Sequence, residues 1–243
     1  MPVNRNGSSV SENSETAFDS VGQIIREIKA ESSEKYAEFH RKMIQSENGY
    51  GKGDTVIGCP VPNLRKIAKK YCAEISLKDT EKLLQSNYHE ARALALIIMT
   101  LQFQSGDETR RKNIMQIYLN NLKFVNNWDL VDISAPRTAG LYFKSEDPVF
   151  KRLSESENLW ENRIAVVATL SFIKNGDFEL TLKLCEKFLK HKHHLIHKAC
   201  GWMLREIGKK SPEILIKFLR KHAADMPKIM LSYARERIRD VQI

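Results

Sequence analysis

From Phe18 onward, apolar residues recur at helical spacing in nearly every segment, and nowhere is there the sustained alternation that a half-buried strand requires. A chain patterned this way folds as an all-α protein. Phe18, Val21, Ile24, Ile25 and Ile28 make one apolar stripe, and Tyr36, Phe39, Met43 and Ile44 make the next after the start signal Ser32-Ser33. The longest interruption is 48–61, with Gly49, Gly51, Gly53, Gly58 and Pro60; Pro62 then suits the first turn of a helix carrying Leu64, Ile67, Ala68 and Tyr71. Ser76 and Asp79 form a capping-box variant before a short helix, which precedes a strongly apolar one from His89 to Gln104. Further helices are expected over 107–122, 127–143, 147–155, 159–174, 177–191, 194–208, 211–222 and 227–239.

Breaks such as Asn175-Gly176 and Ser211-Pro212 are brief, and there is no long crossover, which is the pattern of a helical-repeat α-solenoid. No consensus letters recur, so spacing alone also admits an irregular helical bundle. A solenoid would offer a concave face wide enough for duplex DNA, whereas a compact bundle would not. Residues 16–243 read as a single domain, and the polar, Ser/Asn-rich 1–15 as a disordered lead-in without the apolar core of a secretory signal. The longest apolar run, Ala93 to Met99, is far short of the roughly 20 residues of a membrane span, so no membrane partner and an intracellular place, cytoplasm or nucleoid, are expected. Cys59, Cys72, Cys185 and Cys200 contain no CxxC pair, as suits reduced structural thiols rather than a disulfide framework or a zinc site.

The net charge is +9, and residues 151–243 hold 19 Lys/Arg against 11 Asp/Glu, so the C-terminal part carries +8 of it. One side of the molecule then faces a polyanion, with nucleic acid the leading candidate; a generally basic surface is the plain alternative. Asn126-Asn127-Trp128-Asp129-Leu130-Val131-Asp132 sets the Trp128 indole and the Asp132 carboxylate on one helix face. An aromatic plane beside a carboxylate suits a substrate that develops positive charge, although a core Trp beside a solvated Asp is the commoner use of the pair. Trp160-Glu161-Asn162-Arg163 opens another helix, with Arg163 in its first turn, and Lys198, Trp202 and Arg205 stand at i, i+4 and i+7 along one face of a further one. A final helix carries Arg235, Arg237 and Arg239. Cations interleaved with indoles hold phosphates while a ring packs on sugar or base. His191, His193, His194 and His197 lack a carboxylate or Cys set, which favours phosphate contact or solvation over a metal; capping and first-turn charge suffice for His89-Glu90.

Four motifs in order, Gly58-Cys59-Pro60-Val61-Pro62-Asn63-Leu64-Arg65-Lys66-Ile67, Asn127 to Asp132, Glu157 to Arg163, and His197 to Glu206, resemble the successive signatures of the AlkD-type DNA alkylation repair family. The resemblance runs from about residue 34 to residue 238. It implies a right-handed solenoid of HEAT-like repeats and a monomeric glycosylase that frees cationic alkylated purines, chiefly 7-methylguanine and 3-methyladenine, from duplex DNA without metal or cofactor. Carried over, Asp132 matches the catalytic carboxylate, Trp128 and Trp202 the indoles on the lesion nucleotide, and Arg163 a basic residue beside the DNA backbone; Lys198, Arg205 and Arg235 join as DNA-binding cations. Asn127 departs from members with a second Trp there, and the Tyr36–Ile44 helix offers no match for a Tyr that some members place at the site. The alternatives are a non-catalytic module for distorted or branched DNA and a protein-binding solenoid, from which Asp132 separates the enzyme, since a carboxylate facing phosphates serves no pure binder.

Overall fold

The computed structural model describes residues 19–45, 50–51 and 53–238, all-helical with no strand and one isolated bridge between Thr55 and Tyr88. The lead-in over 1–15 and Arg239 lie outside the described residues. No helix among those described is long and apolar enough to cross a membrane.

The expected caps form. α1 (Ser20–Ala30) and α2 (Glu34–Ile44) start at Asp19 and Ser33, whose side chains accept the N–H groups of Gly22 and Tyr36. α3 (Val61–Tyr71) has Pro62 in its first turn, and α4 (Leu77–Leu84) opens on Ser76, whose Oγ accepts the Asp79 N–H at 3.0 Å. α5 (His89–Ser105) is buried almost all round, because α3, α4, α6 (Glu108–Asn120) and α7 (Trp128–Ser134) all pack on it.

Beyond α7 come α8 (Ala139–Tyr142), α9 (Pro148–Glu155), α10 (Leu159–Ala168), α11 (Leu170–Lys174), α12 (Glu179–Lys187), α13 (His194–Lys210), α14 (Pro212–His222) and α15 (Lys228–Ala234). α5, α7, α10 and α13 pack side by side in chain order, with α9 and α12 against α10 and with α12, α14 and α15 against α13. Each inner helix thus meets its neighbours along the row and its own outer helix, which is the arrangement of an α-solenoid of helical repeats. One apolar core runs from Ile24 to Ala234. Two glycines set close approaches. Gly58, at φ +92°, leaves no room for a Cβ beside the Ser33 carbonyl and Ala37, and Gly201 does the same for α13 against the Met230 carbonyl of α15.

Several expected helices are shorter than their periodicity implies: 159–174 is divided at Thr169 into α10 and α11, and 177–191 ends as α-helix at Lys187 before a 3₁₀ turn, Phe188–Lys190. The 127–143 stretch ends as α-helix at Ser134 and passes through a 3₁₀ turn, Ala135–Arg137, before α8. Pro136, which has no N–H to give, accounts for the break. The last helix stops at Ala234, so Arg235 is its C-cap, with its N–H on the Leu231 and Tyr233 carbonyls, and Arg237 lies in the turn beyond.

Candidate functional site

The start of α7 is fastened to the end of α2. Asn127 caps α7 through its side-chain oxygen, which accepts the Trp128 N–H at 2.9 Å, while its amide nitrogen donates to the Ile44 carbonyl at 2.7 Å. The Trp128 indole Nε1 donates to the neighbouring Met43 carbonyl at 3.4 Å. One turn on, Asp132 meets Arg163 of α10 in a bidentate pair, Nε to Oδ1 at 3.0 Å and Nη2 to Oδ2 at 2.8 Å. The remaining arm of Arg163 donates from Nη1 to the Leu195 carbonyl at 2.7 Å, so the guanidinium ties α7, α10 and α13 together.

Burial pushes the Asp132 carboxyl up from its ordinary value; Arg163 opposes that rise, and Asp129, one turn away, adds to it. Arg163 is only 5% exposed, whereas the Asp132 side chain keeps 22% of its surface. The pair therefore presents a carboxylate edge, not a cation, to the outside.

That edge opens on a cleft of about 400 Å³ lined by Met43, Tyr50, Trp128, Asp132, Arg163, His194, Leu195, Lys198, Trp202, Arg205 and Tyr233. Six of the seven catalytic and DNA-binding residues expected from sequence thus share one cavity, and Asp132 is the sole acid among its described lining. Lys198 has no hydrogen bond or ion pair among the described residues, so its ammonium stands free beside His194. Burial, helped by Lys198, holds the His194 imidazole below its ordinary value.

Trp202 donates from Nε1 to Glu206 at 3.2 Å. Arg205 is bound to Glu236 of the turn after α15 and lies 3.7 Å from Glu206, so its charge is spent within the fold. Arg235 does not line this cleft. A larger cleft of about 470 Å³ between α1, α3 and α4 has its Lys70 engaged by Glu27 and brings together none of the catalytic or DNA-binding residues expected from sequence.

Arg163 is placed unlike a phosphate ligand: it is the fifth residue of α10, not part of its first turn, and all its hydrogen bonds are internal. Arg163→Ala is accordingly expected to leave the salt dependence of duplex binding unaltered, whereas Lys198→Ala reduces the slope by about one unit. Binding isotherms over a salt series decide between them. A slope lowered by Arg163→Ala would return this residue to the phosphate contacts.

Beneath α7 lies a buried polar centre. His89, fully buried at the head of α5, contacts Asp129 Oδ2 through Nε2 at 2.7 Å and Asp54 through Nδ1 at 3.4 Å. Asp54 is also bound by Arg92 and by Asn126 Nδ2 at 3.3 Å. Burial disfavours the His89 charge, but Asp129 and Asp54 outweigh it and raise the imidazole to about 9. Glu90, which burial alone would raise, is instead held low by His40 and by the N–H groups of Ile57 and Gly58 at 2.9 and 2.8 Å.

His40, His89 and Asp129 bring ligand-type atoms within 4.8 Å of one another. Each of these groups has an ion-pair or hydrogen-bond partner within the cluster, and Arg92 adds a cation close by, so the contacts among them form an ion-pair network. Capping, the sequence account of His89-Glu90, misses this. The signal was available: three ionisable residues, His89, Glu90 and Arg92, head a helix that is apolar on every face, so they cannot all reach water.

Tyr50 and Tyr233 are the cleft aromatics that sequence reading did not single out for the site. Tyr50 stands edge-on to the buried Trp160 at 5.8 Å. An aromatic between Gly49 and Gly51 is the mark that could have drawn attention to it.

Comparison with known proteins agrees in extent with the fold. The model of a family described as DNA alkylation repair enzyme matches residues 23–238. A solved structure described as a predicted DNA alkylation repair enzyme from Enterococcus faecalis superposes with a TM-score of 0.68 at 15% identity, over 87% of this chain and 98% of that one. No curated protein sequence matches the chain.

Proposed function

Because the chain belongs to the DNA alkylation repair enzyme family, we propose that it is a DNA glycosylase that hydrolyses the N-glycosidic bond of cationic alkylated purines, such as 7-methylguanine and 3-methyladenine, in duplex DNA. The observation that carries this reading is a lone carboxylate, Asp132, in a cleft walled by the indoles Trp128 and Trp202 and edged by the unpaired cation Lys198.

An N3- or N7-alkylated purine already carries positive charge. When its C1′–N bond breaks, the electron pair goes to the base, which departs neutral without a proton, and the sugar is left as an oxocarbenium ion. Asp132, oriented by both its bonds to Arg163, offers negative charge where that cation forms, and the indole faces add a weaker attraction. Water then adds to C1′ and gives its proton to Asp132 or to solvent, leaving an abasic site. Lys198 serves the phosphate backbone.

A neutral base would need a general acid. His194 is the cleft group nearest to that role in kind, and burial and the neighbouring Lys198 disfavour its protonated form. The purified protein is therefore expected to release 7-methylguanine from methylated duplex while leaving uracil and 8-oxoguanine in place in the same sequence context, as measured by chromatography of freed bases. Uracil release at a comparable rate would require an acid/base pair and refute the single-carboxylate scheme.

The second reading is a non-catalytic module for distorted or branched DNA, and the Asp132–Arg163 pair favours it, since a carboxylate with both oxygens engaged also suits a purely structural tie. Tight binding of branched duplex with no base released from methylated DNA would decide for it.

A further inference from the structure

Asp132 and Trp202 also line a second cleft, of about 290 Å³, whose lining does not include Lys198. Its other walls are Gln104, Pro136, Arg137, Leu141, Leu170, Ser171, Lys174 and Asn175, so Gln104 is the penultimate residue of α5, Arg137 ends the turn after α7, and Lys174 ends α11 directly after α10. The C-terminal end of α5, the turn after α7 and the C-terminal end of α11 thus come to one place. The first cleft is lined instead by Trp128, His194 and Leu195, from the N-terminal ends of α7 and α13. The first cleft gathers the aromatics Tyr50, Trp128 and Tyr233 beside Lys198, the second has cations at its rim and no tyrosine, and Asp132 and Trp202 line both.

The chemistry of the second cleft is not that of a base pocket. Trp202 is its one aromatic. Arg137 is exposed and donates a single hydrogen bond, Nη1 to the Ile133 carbonyl at 3.2 Å, and Lys174 is exposed with no partner among the described residues. Neither cation is neutralised: Asp132, the cleft's one acid, is already bound by Arg163. Helix C-termini carry partial negative charge, so an anion is held there only where side-chain cations outweigh it. Two uncommitted cations on a rim that by itself repels anions, adjoining the reacting carboxylate, fit a ligand of repeating negative charge.

We infer that Arg137 and Lys174 form a phosphodiester subsite that holds the lesion strand where it leaves the Asp132 wall. This rests on the glycosylase reading only for naming that strand; the subsite itself requires duplex binding alone. Holding the backbone at both clefts fixes the damaged nucleotide over Asp132 by its flanks, so no close-fitting base pocket is needed.

The test compares wild type, Arg137→Gln/Lys174→Gln, and a control of equal charge, Lys112→Gln/Lys151→Gln, on the exposed sides of α6 and α9. Duplex affinity is measured over a salt series with methylated DNA, using the native backbone or neutral methylphosphonate linkages flanking the lesion on one strand. Base release is followed in the same samples.

Loss of two phosphate contacts should lower the salt slope of the Arg137/Lys174 variant by about 1.8. The methylphosphonate penalty on the lesion strand, about tenfold or more for wild type and the control pair, should shrink in that variant to the part that Lys198 contributes. Equal slopes for the two double variants, or a penalty in Arg137→Gln/Lys174→Gln as large as in the control pair, would overturn the subsite. Dependence on the opposite strand's linkages alone would overturn its assignment to the lesion strand. A wild type that shows these binding effects but frees no base would leave the subsite standing and remove the glycosylase reading.

Discussion

Asp132→Asn is expected to lower the single-turnover rate of 7-methylguanine release by about 10²–10³-fold or more, with duplex affinity unchanged or slightly raised. The amide is nearly the same size and keeps an oxygen for Arg163, so the ties among α7, α10 and α13 persist while the charge is lost. Stabilisation of the oxocarbenium ion falls with that charge, and so does a repulsion toward phosphate, which is why rate and affinity should move apart. Circular dichroism and binding isotherms on the same preparation separate this from misfolding. A rate within about twofold of wild type would exclude Asp132 as the reacting carboxylate.

His89→Gln is expected to cost about 3 kcal/mol or more of stability near pH 6, because Asp129 and Asp54 then lose a buried cation that both contact. The wild-type dependence on pH follows from the raised His89. Its folded value, about 9, exceeds the ordinary 6.5, so the stabilisation is complete below 6.5 and is lost as the pH rises through about 9. Urea denaturation at several pH values should show wild type weakening over that interval and His89→Gln flat across it. The same alkaline decline in both proteins would mean that His89 is not the charged partner. Asp54 and Glu90, held low, contribute in the opposite sense and lose their stabilisation toward acid.

Much of this molecule could be read from its letters, for reasons that differ from part to part. Ser76 with Asp79, Pro62, and the apolar run from Ala93 declare helix starts and a buried helix through local chemistry alone. Lys198, Trp202 and Arg205 were placed on one face by spacing, and all three line the cleft.

What spacing could not give was the use of each charge. Arg163 and Arg205 look like phosphate ligands in a basic segment, yet their partners, Asp132 and Glu236, lie 31 residues away in each case and on other elements. Only a fold brings such pairs together. Tyr50 escaped because its loop has no period, and the reach of the 127–143 helix was overstated because apolar spacing continued past Pro136. The His89 centre was missed because Asp54, Asp129 and His40 come from three separate segments.

The fastening of α7 to α2 also limits how this protein can be divided. Asn127 and Trp128 donate to the main-chain carbonyls of Ile44 and Met43, so the first helices act as an anchor plate for the carboxylate-bearing helix through atoms that any residue at those two positions would supply. A fragment beginning after α2 would retain Trp128, Asp132, Arg163, Lys198 and Trp202 and still lose the alignment among them. Sequence drift along α2 is correspondingly cheap provided its backbone stays in place, whereas a deletion or a register slip there reaches Asp132 directly. The first helices and the cleft they support are therefore not separable modules in this chain.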